Sequence, residues 1–273
     1  IRISILLKDC DILDLNEFLI EFTNKGRYEV FKSIYKESKR HSELEKELDI
    51  PGPEISRNLK RLIKKKLISK TIDNEYEITS IGKIIYEVLN IFESTLKFED
   101  FLNKHDISSI PINLVLQLGK LKTVDVYNQT MKNIQKWSDL VKNSERFILA
   151  ISDQFQDSIL PIVEKKINNQ SIEIKALIEK AILMDSVKVG KQFKDRHALY
   201  DKIDVFQNVR VLLQINLSLI ASDKGAILFL SKDGKIDYSQ CLVDENEVFI
   251  NWTRELFKWY WKKGKELKPF LKK

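Results

Sequence analysis

The chain is poor in the residues that build metal sites and covalent cross-links. Its 273 residues include two cysteines and three histidines. Cys10 and Cys241 stand far apart, and His41, His105 and His197 form no cluster. No zinc-ligand spacing and no disulfide framework can be drawn from them, so no metal or cofactor is expected. Glycine (8) and proline (5) are scarce, and neither a Gly-rich phosphate loop nor a nucleophile elbow occurs. No apolar run reaches about 18 residues, the length a transmembrane helix needs, and no signal peptide is visible. A cytoplasmic protein with no membrane partner is the expectation.

What is present argues for folded domains. Hydrophobic content is 43% and aromatic content 10%, too high for a disordered chain, and the length suffices for two cores. The net charge of +6 is a poor guide, because it is unevenly spread. Residues 1–104 hold 19 basic and 19 acidic side chains, whereas 254–273 hold 8 and 2. The terminal surplus reads as a solvated helix end. The informative cluster is local: residues 56–70 carry seven cations and no acid.

That cluster lies in PEISRNLKRLIKKK, residues 53–66. Ile55, Leu59, Leu62 and Ile63 follow the spacing of one apolar helix stripe. The polar side holds Ser56, Arg57, Asn58, Lys60, Arg61, Lys64 and Lys65. Arginine and lysine read guanine edges, serine and asparagine bond adenine or phosphate, and lysines neutralise backbone. A cationic helix face is by itself usually just solvated, so the flanks matter. Upstream, Ser42 with Glu45 three residues later has the form of a capping box, and Asp49-Ile50-Pro51-Gly52 is a turn before Pro53 at the first helical position. Downstream, two short strands around Asp73-Asn74 form a hairpin, with Lys66 and Lys70 near phosphates. Helix, turn, basic helix and hairpin are the parts of a winged helix-turn-helix. Double-stranded DNA is the partner they imply.

Residues 81–102 read as one connector helix. Thr79 or Ser80 can cap it, and Ile81, Ile85, Val88 and Phe92 make a coiled-coil-like seam. Either the seam packs on the chain's own domains or it joins two copies, which would space two recognition helices about one DNA turn apart.

Beyond residue 123 the pattern changes. A helix over 124–142 precedes strands at 146–151, 172–178 and 209–213, with helices over 157–168 and 185–202 between them. Such alternation implies parallel pairing. Shorter strands at 217–221, 226–230 and 236–243 suggest an antiparallel meander, and a helix over 245–267 rich in tryptophan ends the pattern, its aromatics read as core or interface. Ligands of open α/β sheets bind at the carboxyl ends of parallel strands. Here those ends carry Ser152, Asp153 and Glu179, a candidate effector site if these residues do more than cap helices.

Several stretches, in order, carry a resemblance: YEITSIG at 76–82, FLNKHDISSIP at 101–111, LGKL at 118–121, and LFLSKDGKIDY at 228–238 followed by Trp252 and ELF at 255–257. With them the chain resembles archaeal winged-helix transcriptional regulators whose C-terminal domain was first named in methanogenesis regulatory proteins. The resemblance implies gene regulation by the winged helix and a sensor-like second domain. It supplies no effector residues. The second domain also resembles the phospholipase D fold, whose enzymes need a His and a Lys two residues apart, as nucleophile and oxyanion holder. None of the three histidines has that lysine, so no catalysis is expected.

The expectation is therefore an α+β multidomain protein: a winged helix-turn-helix over 1–80, a connector and dimerisation helix over 81–104, and an α/β domain with a mixed sheet over 105–273. It would be a dimeric, sequence-specific transcription regulator with an unidentified small-molecule effector. The rivals are a nucleoid- or RNA-associated protein with a structural second domain and a degenerate phospholipase D-like phosphodiesterase.

Overall fold

A computed structural model describes residues 15–154, 159–168, 172–182 and 205–271. Cys10, His197 and the helix expected over 185–202 lie outside these residues. The chain divides into two compact units, Ile1–Asn90 and Ile91–Lys273.

In the first unit α1 (Leu15–Thr23) and α2 (Lys25–Lys36) precede the short strand β1 (Lys39–Arg40), α3 (His41–Leu48), α4 (Gly52–Lys64) and a hairpin of β2 (Ile68–Lys70) and β3 (Glu75–Ile78). The three strands pair in the order β1-β3-β2, all antiparallel. Phe31, Ile34, Leu44, Ile55, Leu59 and Leu62 are each at most 2% exposed and form the core. This is the element order of a winged helix-turn-helix.

Local details correct several expectations. α3 begins at His41, and Glu43 accepts from the Arg40 amide at 2.7 Å, so the reciprocal cap is not made by Ser42. Glu45 instead accepts from Gly52 N at 3.1 Å and ties α3 to the start of α4. The turn between them passes through Asp49 in the left-handed region, φ 51°, which aspartate tolerates better than most residues. Asn74, φ 62°, does the same in the hairpin. The connector is two helices, α5 (Ser80–Leu96) and α6 (Glu99–Leu102). Thr79 caps α5: its hydroxyl accepts from Gly82 N at 3.0 Å and donates to the Lys66 and Leu67 carbonyls.

The second unit is built on a nine-stranded mixed sheet. After α7 (Ile112–Val115), β4 (Asp125–Tyr127) and α8 (Thr130–Asn143) come β5 (Phe147–Ser152), α9 (Leu160–Asn168), β6 (Glu173–Glu179), α10 (Val205–Asn208) and β7 (Val209–Leu212). Then follow β8 (Leu217–Ser222), β9 (Gly225–Lys232), β10 (Lys235–Ile236), β11 (Cys241–Asp244), α11 (Glu247–Lys263), β12 (Lys265–Glu266) and α12 (Lys268–Leu271). β5, β6 and β7 pair in parallel, and β5-β8-β9-β11-β4 continue antiparallel. The expected parallel half and meander are both there. The expected helix over 124–142 instead opens with an edge strand, and the strand expected over 236–243 splits into β10 and β11.

Alternation along the strands sends side chains to two buried faces. Leu217, Leu219 and Leu228 join the core under α11, while Ile220, Ile227 and Phe229 pack with Trp137 and Leu140 of α8. Burial on both faces explains why β8 and β9 read as continuous apolar runs. The α11 aromatics are mostly core: Trp252 Nε1 donates to the Leu114 carbonyl at 3.0 Å and Tyr260 Oη to the Ser109 carbonyl at 2.7 Å. His105 is likewise structural, its ring nitrogens 2.7 Å from the Phe101 carbonyl and 3.3 Å from Asp237 Oδ2.

Candidate nucleic-acid interface

α4 carries the first candidate site. Its inner face is Ile55, Leu59 and Leu62, so the residues opposite point outward. Arg57, Lys60 and Lys64, spaced i, i+3 and i+7, are all exposed and form one cationic strip. Lys70, on β2, is exposed at the wing, its Nζ 5.7 Å from the Tyr76 ring centre. Lys65 is half-buried at the helix C-cap. The hairpin that bears Lys70 follows this helix directly.

Three expected residues stand elsewhere. Asn58 is only 3% exposed, because position 58 flanks the apolar stripe, so it is not a DNA-facing residue. Ile63, assigned to the buried stripe, is 38% exposed. Ser56 is half-buried with its Oγ 2.9 Å from His41 Nε2, and that ring nitrogen also lies 3.1 Å from the Gly52 carbonyl. His41 thus links the starts of α3 and α4, a role that nothing in its sequence neighbourhood announces.

Arg61 is engaged rather than free. Its Nε and Nη2 donate to the two oxygens of Glu21, each at 2.8 Å, and Glu21 also binds Arg27 Nη1 at 2.6 Å. The Arg61 hydrogen bond, with Arg27 alongside, outweighs burial and holds the Glu21 carboxyl below the usual range. Glu21 was missed from sequence because its contact with Arg61 is long-range, 40 residues apart, and Arg27 because it pairs with Glu21 across the break between α1 and α2.

On α5 the outward row is Ile81, Ile84, Val88 and Phe92, exposed by 47, 60, 43 and 63%. Ile85, expected in this seam, is partly buried against the core of its own unit beside Tyr86. The outer seam therefore runs through Ile84 in its place.

At the carboxyl ends of β5 and β6 the structure brings the second candidate set together. Tyr238 Oη donates to Asp153 Oδ1, and Ser152 Oγ donates to the Gln154 carbonyl at 2.7 Å. Burial, followed by the neighbouring Asp153 charge, raises the Glu179 carboxyl above the usual range. Two carboxylates and a phenol converge here. Among the described residues, no group of three or more metal-ligating side chains occurs, and no helix is long and apolar enough to cross a membrane.

No protein-family model matches the chain, and no curated protein matches it. Solved structures similar to this chain include the following two. One is TrmBL2, an archaeal chromatin protein whose structure shows a novel mode of DNA binding: TM-score 0.40 and 17% identity, covering 80% of this chain and 84% of that one. The other is the phosphatidylserine synthase of Haemophilus influenzae Rd KW20: TM-score 0.38 and 11% identity, covering 59% of this chain and 40% of that one. At these TM-scores neither likeness decides fold or function.

Proposed function

We propose that this protein binds double-stranded DNA through α4 and the β2–β3 wing and regulates transcription. The observation that carries the proposal is the exposed strip Arg57-Lys60-Lys64, opposite a fully buried apolar stripe and next to a hairpin bearing Lys70. An α-helix fits the major groove, where a cationic strip meets base edges and phosphates on either side. The DNA-binding form is a homodimer joined along the outer row of α5, and it works in the cytoplasm. The second unit responds to a small molecule at Ser152, Asp153 and Glu179, and a ligand there shifts DNA affinity only through different affinities for two states. It performs no catalytic step.

The test is equilibrium binding of the full chain to a duplex selected from a random pool and to a mixed-sequence duplex, across a salt series. Preference for the selected duplex by about a thousandfold or more supports a specific regulator. A steep salt slope with equal affinity for both duplexes supports a nucleoid-type binder instead. Turnover of a generic phosphodiester would overturn the non-catalytic part.

A further inference from the structure

Glu21 belongs to α1, outside the helix-turn-helix proper, yet its carboxylate closes on a cation of α4. Nε and Nη2 of Arg61 donate to its two oxygens in parallel, each at 2.8 Å. Arg27 Nη1 donates to Glu21 Oε2 at 2.6 Å and to the Glu21 carbonyl at 3.1 Å. Glu21 and Arg27 are 4% and 7% exposed, whereas the Arg61 side chain remains 51% exposed. α1 is itself seated by Phe18 and Phe22, whose rings meet each other at 5.4 Å, with Phe22 reaching Phe31 of α2 at 5.4 Å.

Three consequences follow. A guanidinium presents its donors in a rigid planar fork. With the Nε–Nη2 edge held by Glu21, the donors left are those of Nη1 and the second N–H of Nη2, which together form the end edge of the fork. Two parallel bonds also fix the plane of a side chain that would otherwise swing, so less freedom is lost on contact with a partner. Finally, two guanidinium groups share one carboxylate, so the trio keeps a net charge of one positive unit. Arg61 follows Arg57 by one helical turn and precedes Lys64. A cleft of about 400 Å³ lined by Ile20, Glu21, Arg61, Lys64 and Lys65 opens beside it.

We propose that Glu21 is a positioning residue, which holds Arg61 so that its remaining edge reads the N7 and O6 acceptors of a guanine in the major groove. Resting on the DNA-binding function above, the assignment makes Arg61 a specificity-determining residue. A phosphate can be met by the point charge of a lysine as well as by a fork, whereas the two coplanar acceptors of a guanine edge reward a fork whose plane is already fixed. The competing role is a mask, in which Glu21 imitates a phosphate that DNA must displace.

The two roles predict opposite signs. Glu21→Gln removes a negative charge beside the DNA face, so a mask predicts tighter binding to every duplex. Positioning predicts weaker binding to the selected duplex, by roughly tenfold. The loss should be confined to one G·C pair, with the mixed-sequence duplex bound no more weakly than before. Arg61→Lys keeps the charge but not the fork, and should show the same loss. The double variant should be no worse than Arg61→Lys alone, and 7-deazaguanine at that pair should cost the wild type what Glu21→Gln costs it. Melting curves verify the fold, and Arg61→Lys, at a half-exposed position, keeps the test open if Glu21→Gln unfolds. Tighter binding by Glu21→Gln, equal losses on both duplexes, or additive losses would overturn the proposal. Wild type that binds both duplexes equally would overturn it while leaving DNA binding intact. Wild type that binds neither would overturn the DNA-binding function as well.

Discussion

Replacing Gly82 by alanine perturbs the joint between the wing and α5. An ideal Cβ there would lie 2.1 Å from the Leu67 carbonyl oxygen, 2.8 Å from Ile78 Cγ1 and 3.1 Å from the Leu67 carbonyl carbon. Two of these atoms are backbone and cannot rotate away. The same carbonyl accepts from Thr79 N at 3.1 Å and Thr79 Oγ1 at 3.0 Å, so moving it weakens the α5 cap. Overpacking a filled site costs about 1–3 kcal/mol, and a backbone clash this short belongs at the upper end. Alanine recovers about 1 kcal/mol of helix propensity. The net loss of roughly 2 kcal/mol lowers Tm by about 8–16 °C for a unit of 60–100 residues. Differential scanning calorimetry of the full chain reads this directly. Lys83→Ala, one residue on and exposed, is the control and should stay within about 0.5 kcal/mol of wild type. An unchanged or raised Tm for Gly82→Ala would refute the argument that α5 rests on the Leu67 carbonyl.

Three further outcomes follow from particular contacts. Asp223 accepts from the amides of Glu145, Arg146 and Phe147 at 2.9, 3.0 and 3.4 Å, so Asp223→Asn should cost about 1–3 kcal/mol in urea unfolding at pH 7. Burial alone would raise the Asp223 carboxyl, but the backbone donors outweigh it and lower it. The stabilisation is therefore full above the unfolded aspartate value of about 3.9 and lost as pH falls through the lower folded value, and the gap between variant and wild type should close there. Glu179 has the opposite sign, since burial and Asp153 raise its carboxyl. Its favourable contribution is complete below the unfolded glutamate value and lost as pH rises through the folded one, so Glu179→Gln should raise Tm at pH 7 and leave it unchanged in acid; a lower Tm at pH 7 would count against the crowded site. Ile84→Asp with Val88→Asp, both at exposed positions of α5, should give a folded monomer by light scattering; a persisting dimer would place the interface elsewhere.

Much of this architecture was legible because its signals are local. The α4 stripe and the hairpin around Asn74 each show within a dozen residues, and the parallel-then-antiparallel strand order shows in the spacing of successive short apolar runs. What failed depended on distant partners. Glu45 looks like half of a capping box with Ser42, but it bonds Gly52 N across the turn. Asn58 has a DNA-reading side chain, yet its angular position beside Ile55 and Leu62 buries it. Ile85 fits the α5 seam by heptad count, and only the packed Tyr86 next to it shows which face is inward. The Glu21–Arg61 pair left no periodic trace at all. The Ser152-Asp153-Glu179 site was nominated from strand ends, and the participation of Tyr238, from beyond β10, came only with the fold.

The most direct test of the central claim is the salt dependence of DNA binding by a variant with Arg57, Lys60 and Lys64 all changed to alanine. These side chains are exposed, so the fold should survive their loss. If α4 is the DNA-binding element, affinity for a mixed-sequence duplex falls. The slope of log K against log salt should then drop by about two to three, at roughly 0.9 for each phosphate contact removed. A variant that melts like the wild type yet binds with the same affinity and slope would contradict the account.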